Sequence, residues 1–104
     1  MAVAGMTTLI AYVKARPGKE AELKKVLLGL VGPTRKEAGC IDYHLHVSDD
    51  DPRMFMFYEN WRSRQDHDEH LKTPYLVDFI GRRPELVEGD VPLHFYTMLS
   101  ERPR

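Results

Sequence analysis

The succession of periodicities along the chain predicts an α+β fold of the split βαβ, ferredoxin-like kind. Its order would be β-α-β-β-α-β, a four-stranded antiparallel sheet with helices on one face. Three observations predict it. The longest stretch of helical period, Lys19–Ala38, stands between two extended runs. The second and third extended runs, Cys40–Val47 and Met54–Trp61, are separated by SDDDPR, a polar segment of hairpin length. Finally, the first, third and last strands carry apolar residues on both faces, while the helices suffice for only one. The uncovered face exceeds the few hundred Å² a soluble monomer usually exposes. The simplest cover is a second copy of the chain, in a twofold homodimer packed sheet to sheet.

The bounds agree with one small domain, expected over residues 7–99, with flexible or partner-contacting tails at 1–6 and 100–104. The chain has 104 residues and a net charge of -1, with signs alternating along it. That pattern lacks the clustered basic face a nucleic-acid partner needs. No run is long and apolar enough to span a membrane. The single cysteine, Cys40, cannot form an internal disulfide and suits a reducing compartment, so cytoplasm is the expected setting.

Taken in order, Thr7–Arg16 reads as the first strand, with Leu9, Ala11 and Val13 facing one way and Ile10 and Tyr12 the other. Pro17-Gly18 breaks it. In the helix, Leu23, Val26, Leu27, Leu30, Val31 and Thr34 form the apolar stripe opposite Lys19, Glu20, Glu22, Lys24 and Lys25. Pro33 removes the hydrogen bond to the Gly29 carbonyl and predicts a kink or restart. Gly39 is placed to end the helix in a left-handed conformation. In Cys40–Val47, Ile41, Tyr43, Leu45 and Val47 share an apolar face opposite Cys40, Asp42, His44 and His46. The third strand is apolar enough to be buried on both sides. Ser63 is expected to cap a short helix carrying His67, His70 and Leu71, with Asp66 in capping-box position. Thr73-Pro74 opens another, striped by Tyr75, Leu76, Phe79 and Ile80. Pro84–Gly89 reads as a turn with room for one loop of helix, and Asp90–Leu99 as the last strand, which Pro92 places at a sheet edge or at its own beginning.

Chemistry is expected where Glu59, Trp61 and His70 converge. Glu59 ends a strand whose face-mates Phe55, Phe57 and Trp61 are apolar, so its carboxylate must be paired or line a pocket. Arg62 or Arg64 is the structural partner to weigh against a pocket role. Trp61 is either core or a flat wall for an aromatic ligand, its N–H a polar handle. Tyr43 carries the same ambiguity. His70 is either a core histidine or a base lining a cavity. His44 and His46 share one strand face, and His67 and His70 one helix face, but no carboxylate–histidine signature joins the pairs and no metal is expected. Cys40 has no cationic neighbour to activate it. Phosphate-cradling glycine loops, dinucleotide fingerprints and nucleophile elbows are missing, so neither flavin nor nicotinamide is indicated.

The strand ending YENW, the following RSRQDHDEHLKTPYLVDF, and PGKEAELKKVLLGLVGPTRKEAGCIDYHLH together resemble the antibiotic biosynthesis monooxygenase (ABM) family, over residues 7 to 99. The resemblance extends to the small proteins of that family classed as quinol monooxygenases. It implies a dimeric α+β barrel with a cavity between sheet and helices in each subunit. It also implies oxygenation of polycyclic phenols or quinols to quinones by O2 without metal or flavin. On this resemblance His70 would be the base, Trp61 and Tyr43 would orient the rings, and Glu59 would set the tautomer or orientation of a neighbour. Phe57, Tyr75 and Phe79 would complete the substrate pocket. Haem-degrading relatives use an asparagine on the first strand, and Thr7–Tyr12 has none. The alternative from another class is a non-catalytic dimeric barrel that binds an apolar metabolite in the same cavity.

Overall fold

A computed structural model describes residues 5–100. Seven elements follow one another: β1 (Thr7–Lys14), α1 (Glu20–Arg35), β2 (Cys40–Val47), β3 (Met54–Trp61), α2 (Arg64–His70), α3 (Pro74–Leu86) and β4 (Leu93–Tyr96). The sheet is antiparallel throughout, in the order β2-β3-β1-β4. This is the ferredoxin-like α+β arrangement expected, with β4 at an edge as Pro92 requires. The outer parts of the predicted tails, Met1–Ala4 and Glu101–Arg104, fall outside the described residues. Met6, assigned to the leading tail, is buried.

Alternation in β1 and β3 sorts the side chains into two layers. Leu9, Ala11, Val13, Phe55, Phe57, Glu59 and Trp61 are buried on one face, beneath α1 and α3. Leu23, Leu27, Leu30 and Thr34 of α1 close over them, the stripe read from the sequence. The opposite face has no such cover. Tyr12 is 39 % and Tyr96 54 % exposed there, and Met54, Met56 and Tyr58 are half-buried. Thus β3 is buried on one face, not both. At its far end Asn60 is sealed by hydrogen bonds, accepting from the Thr8 hydroxyl and donating to Asp42 and Tyr58 at 2.9 and 3.0 Å.

Several local expectations give way to packing. A bulge between Cys40 and Asp42 resets the parity of β2, pairing Cys40 with Trp61 and Tyr43 with Glu59. Cys40 thereby joins the core face, and Ile41 turns outward at 37 % exposure. Helix α1 runs through Pro33 and ends only two residues later, so the missing hydrogen bond falls in its last turn. Pro84 likewise lies inside α3, where a turn was expected, because the bond from Val87 N to Arg83 O carries the last turn past it. Strand β4 is four residues long instead of ten; the chain before it is held by Tyr12 N donating to Pro92 O.

Gly39 does not adopt a left-handed conformation. It is glycine for space. A Cβ there would overlap the Asp66 side chain, while its carbonyl accepts from Arg62 N at 2.8 Å. Asp66 cannot retreat freely, because it holds the Arg62 guanidinium and the Ser63 hydroxyl that caps α2. Gly39→Ala is expected to cost about 1–3 kcal/mol of stability through this overpacking, read as a lowered midpoint in thermal denaturation.

Candidate active site

Helix α2 is the element that brings the polar residues to the sheet. Ser63 caps it, accepting from Asp66 N at 3.1 Å, and Thr73 closes it by donating its hydroxyl to His70 O at 2.8 Å. Thr73 therefore serves the end of α2, and its side chain makes no cap bond to α3. With both ends fixed, the three-residue spacing of His67 and His70 turns both rings toward the sheet, where each is 2 % exposed.

Beneath them lies a cavity of about 190 Å³. Its floor is Ala11, Val13, Tyr43, Phe57 and Glu59 of the sheet; its roof is Leu30 of α1, His67 and His70 of α2, and Leu76, Phe79 and Ile80 of α3. Arg83 stands at one end, where the cavity adjoins a shallower groove bordered by Arg16 and Asp90. Of the residues singled out in the sequence, Glu59, His70, Tyr43, Phe57 and Phe79 line this space. Trp61 and Tyr75 do not. Trp61 is fully buried behind His70, ring centroids 4.7 Å apart, so it backs the imidazole instead of walling a ligand. Tyr75 points away toward the end of α1, where its hydroxyl donates to Glu37 Oε2 at 2.5 Å.

Glu59 takes neither arginine. Arg62 pairs with Asp66, and Arg64 lies over the Phe95 ring at 3.4 Å. The Glu59 carboxyl instead accepts from Trp61 Nε1 at 2.8 Å. The neighbour whose orientation a carboxylate sets is therefore Trp61 in the case of Glu59. His70 has a different partner: its Nδ1 lies 2.8 Å from Glu37 Oε2. Glu37 was not singled out by sequence: the helix predicted over Lys19–Ala38 contains it, off the apolar stripe, whereas α1 ends at Arg35. His67 was weighed there only as a metal ligand, and it shares the cavity roof. His44 and His46 lie on the open face of the sheet, across from His67 and His70, and no group of three potential metal ligands occurs among the described residues.

Burial dominates the electrostatics. It pushes the Glu59 carboxyl up to about 7, against the stabilising Trp61 N–H and with help from the charge of Glu37. It pulls His67 down to about 4, aided by His70, and leaves the His67 Nδ1 without a hydrogen-bond partner among the described residues. His70 is also lowered by burial, but the hydrogen bond and charge of Glu37 oppose the shift. Burial and the nearby Glu59 raise Tyr43, which stays a neutral phenol. The Cys40 thiol is pushed up to about 11, chiefly by burial, which keeps it unreactive. At neutral pH the cavity thus presents neutral imidazoles and one carboxyl balanced between its two states. It can accept a proton from a weak acid and hold it away from water.

The family model described as antibiotic biosynthesis monooxygenase (ABM) matches residues 6–82. "Putative monooxygenase Rv0793" of Mycobacterium tuberculosis is 32% identical over 93 residues, 89% of this chain and 91% of that protein. "Uncharacterized protein sll1783" of Synechocystis is 31% identical over 84 residues; they make up 81% of this chain but 57% of that longer relative. Among solved structures, PA3566 from Pseudomonas aeruginosa superposes with a TM-score of 0.89 at 32% identity, covering 94% of this chain and 98% of that one.

Proposed function

Because the chain belongs to the antibiotic biosynthesis monooxygenase family, we propose that it oxidises a small electron-rich phenol or quinol with O2 in the cavity between sheet and helices. The observation that carries this reading is the composition of the cavity: apolar and aromatic walls interrupted by His67, His70, Glu59 and Arg83 alone. Its size narrows the substrate. A dry protein cavity of roughly 150 Å³ accepts benzene. At about 190 Å³ this one suits a single ring or a compact fused pair, and three linear rings require it to widen.

His70 takes the phenolic proton, and the resulting phenolate is itself the electron donor. One electron passes to O2, the radical pair joins at the ring carbon opposite the phenolate oxygen, and the hydroperoxide loses water to leave a quinone. One atom of O2 enters the ring as the new carbonyl. As the O–O bond and the C–H bond of the attacked carbon break, the other leaves as water, carrying that ring hydrogen and the proton that His70 had held. A quinol that stops at its quinone would release hydrogen peroxide instead. No metal or flavin is required by such a donor. The chain's contributions are to deprotonate, orient and exclude water.

The open sheet face supports the accompanying proposal of a homodimer; a cytoplasmic setting is proposed with it on the single cysteine, Cys40. Ile10, Tyr12, Met56, Tyr58, His94 and Tyr96 form a broad, largely apolar surface on that open face. Sedimentation should find a dimer, and Tyr12→Glu should shift it toward the monomer. A wild-type monomer would contradict this arrangement. None of the described helices is long and apolar enough to cross a membrane.

The function is tested by incubating the protein with one-, two- and three-ring phenols and hydroquinones, under O2 and under nitrogen, while following O2 uptake. Turnover of one- and two-ring compounds, falling sharply with three, is expected. Tight binding without O2 consumption across the whole panel would favour a non-catalytic carrier. A Soret band on titration with haemin would favour a haem-linked role.

A further inference from the structure

We infer that Glu37 is the positioning residue of this site, holding His70 in the tautomer that leaves Nε2 as the base, and that Tyr75 in turn anchors Glu37. This rests on the reading of His70 as the proton acceptor and assigns a role to two residues outside the cavity.

The surroundings of the His70 ring carry it. A carboxylate oxygen can only accept, so the 2.8 Å approach of Glu37 Oε2 to His70 Nδ1 places the proton on Nδ1. The other ring nitrogen, Nε2, has no hydrogen-bond partner among the described residues, and the ring it belongs to lines the cavity. The same Glu37 oxygen also accepts from the Tyr75 hydroxyl at 2.5 Å, so α3 fixes a carboxylate that would otherwise swing on the chain between α1 and β2. Trp61 supports the ring from behind, at 4.7 Å between centroids, and leaves it little freedom to flip. The proton from a phenol then arrives on Nε2, and the imidazolium so formed faces a carboxylate on its far side. A buried histidine would otherwise resist that charge.

The other titratable or charged groups around His70 are His67 on its own helix, Tyr43 and Glu59 on the sheet, and Arg83 on α3. None of them reaches Nδ1. Glu37 thus governs His70, while Glu59 is tied to Trp61.

Imidazole nitrogen NMR tests the tautomer without turnover, and steady-state kinetics test its use. The wild type should show His70 protonated at Nδ1. Glu37→Ala should give a mixture of tautomers and lower kcat by roughly 10- to 100-fold, with KM little changed. Glu37→Gln keeps an acceptor, so the tautomer should survive; losing the carboxylate charge should move the rise of kcat/KM with pH to lower pH. Tyr75→Phe should leave the tautomer but give a smaller loss of kcat. Should Glu37→Ala fail to fold, Glu37→Gln and Tyr75→Phe still read the effect. A His70 ring protonated at Nε2 in the wild type would overturn the inference. So would tautomers, kcat and pH profile unaltered in the Glu37 variants. If the wild type oxidises no phenol, the functional reading fails instead, a result distinguishable because the tautomer is measured on its own.

Discussion

Replacing Glu59 by glutamine is expected to stabilise the protein at neutral and alkaline pH, by up to about 3 kcal/mol, and to leave it unchanged in acid. Burial raises this carboxyl to about 7 from an ordinary 4.5. Between those values the folded chain holds a proton that the unfolded chain has lost. Stability therefore falls as pH rises through that window and levels off above about 7. Below it, both states are protonated and the residue costs nothing. Glutamine keeps the oxygen that accepts from Trp61 Nε1 and removes the ionisation. His67 works in the opposite sense. Its depressed value, about 4 against 6.5, means stability is lost as pH falls through that range. In the wild type the two slopes oppose each other over nearly the same interval. The informative quantity is thus the difference between Glu59→Gln and wild type in denaturant titrations at several pH values. It should grow steadily from about pH 4.5 to 7, and a difference flat with pH would sink the assignment.

Removing His70 should have the largest effect on chemistry. His70→Ala is expected to lower kcat for phenol oxidation by about 10³-fold, the middle of the range for loss of a general base, with KM changed only a few-fold. The vacated space adjoins the cavity, so added imidazole should restore part of the rate. The variant should also lose about 2–5 kcal/mol of stability, because the buried ring packs at a tilt against Trp61 and pairs with Glu37. Thermal denaturation separates the two effects. Unaltered kcat in a folded variant would remove His70 from the mechanism.

Much of this architecture is legible from residue order because it depends on periodicity. The stripe from Leu23 to Thr34 and the alternation of β1 and β3 determine which faces meet, and the convergence of Glu59, Trp61 and His70 follows from them. What periodicity does not carry is the third dimension of a local irregularity. One bulged residue at Ile41 reversed the facing of Cys40, a change with no signature in composition. Gly39 could be read as a helix terminator; its real constraint is the Asp66 side chain 27 residues further on. Glu37 is 33 residues from His70 and becomes its partner only when the fold brings α2 to the segment that follows α1. Trp61 takes the core side of its two readings, packed at a tilt against His70, and Tyr75 reaches His70 only through the Glu37 carboxylate.

Filling the cavity from its floor, at Ala11, separates oxidation inside it from oxidation elsewhere on the protein. Ala11 is buried at the middle of β1 and forms part of the cavity floor. Ala11→Leu should fill the space while leaving His70, Glu37 and Glu59 in place. With a two-ring phenol that the wild type oxidises, O2 uptake by folded Ala11→Leu should fall to background. Uptake equal to that of the wild type would mean that the chemistry lies elsewhere on the protein.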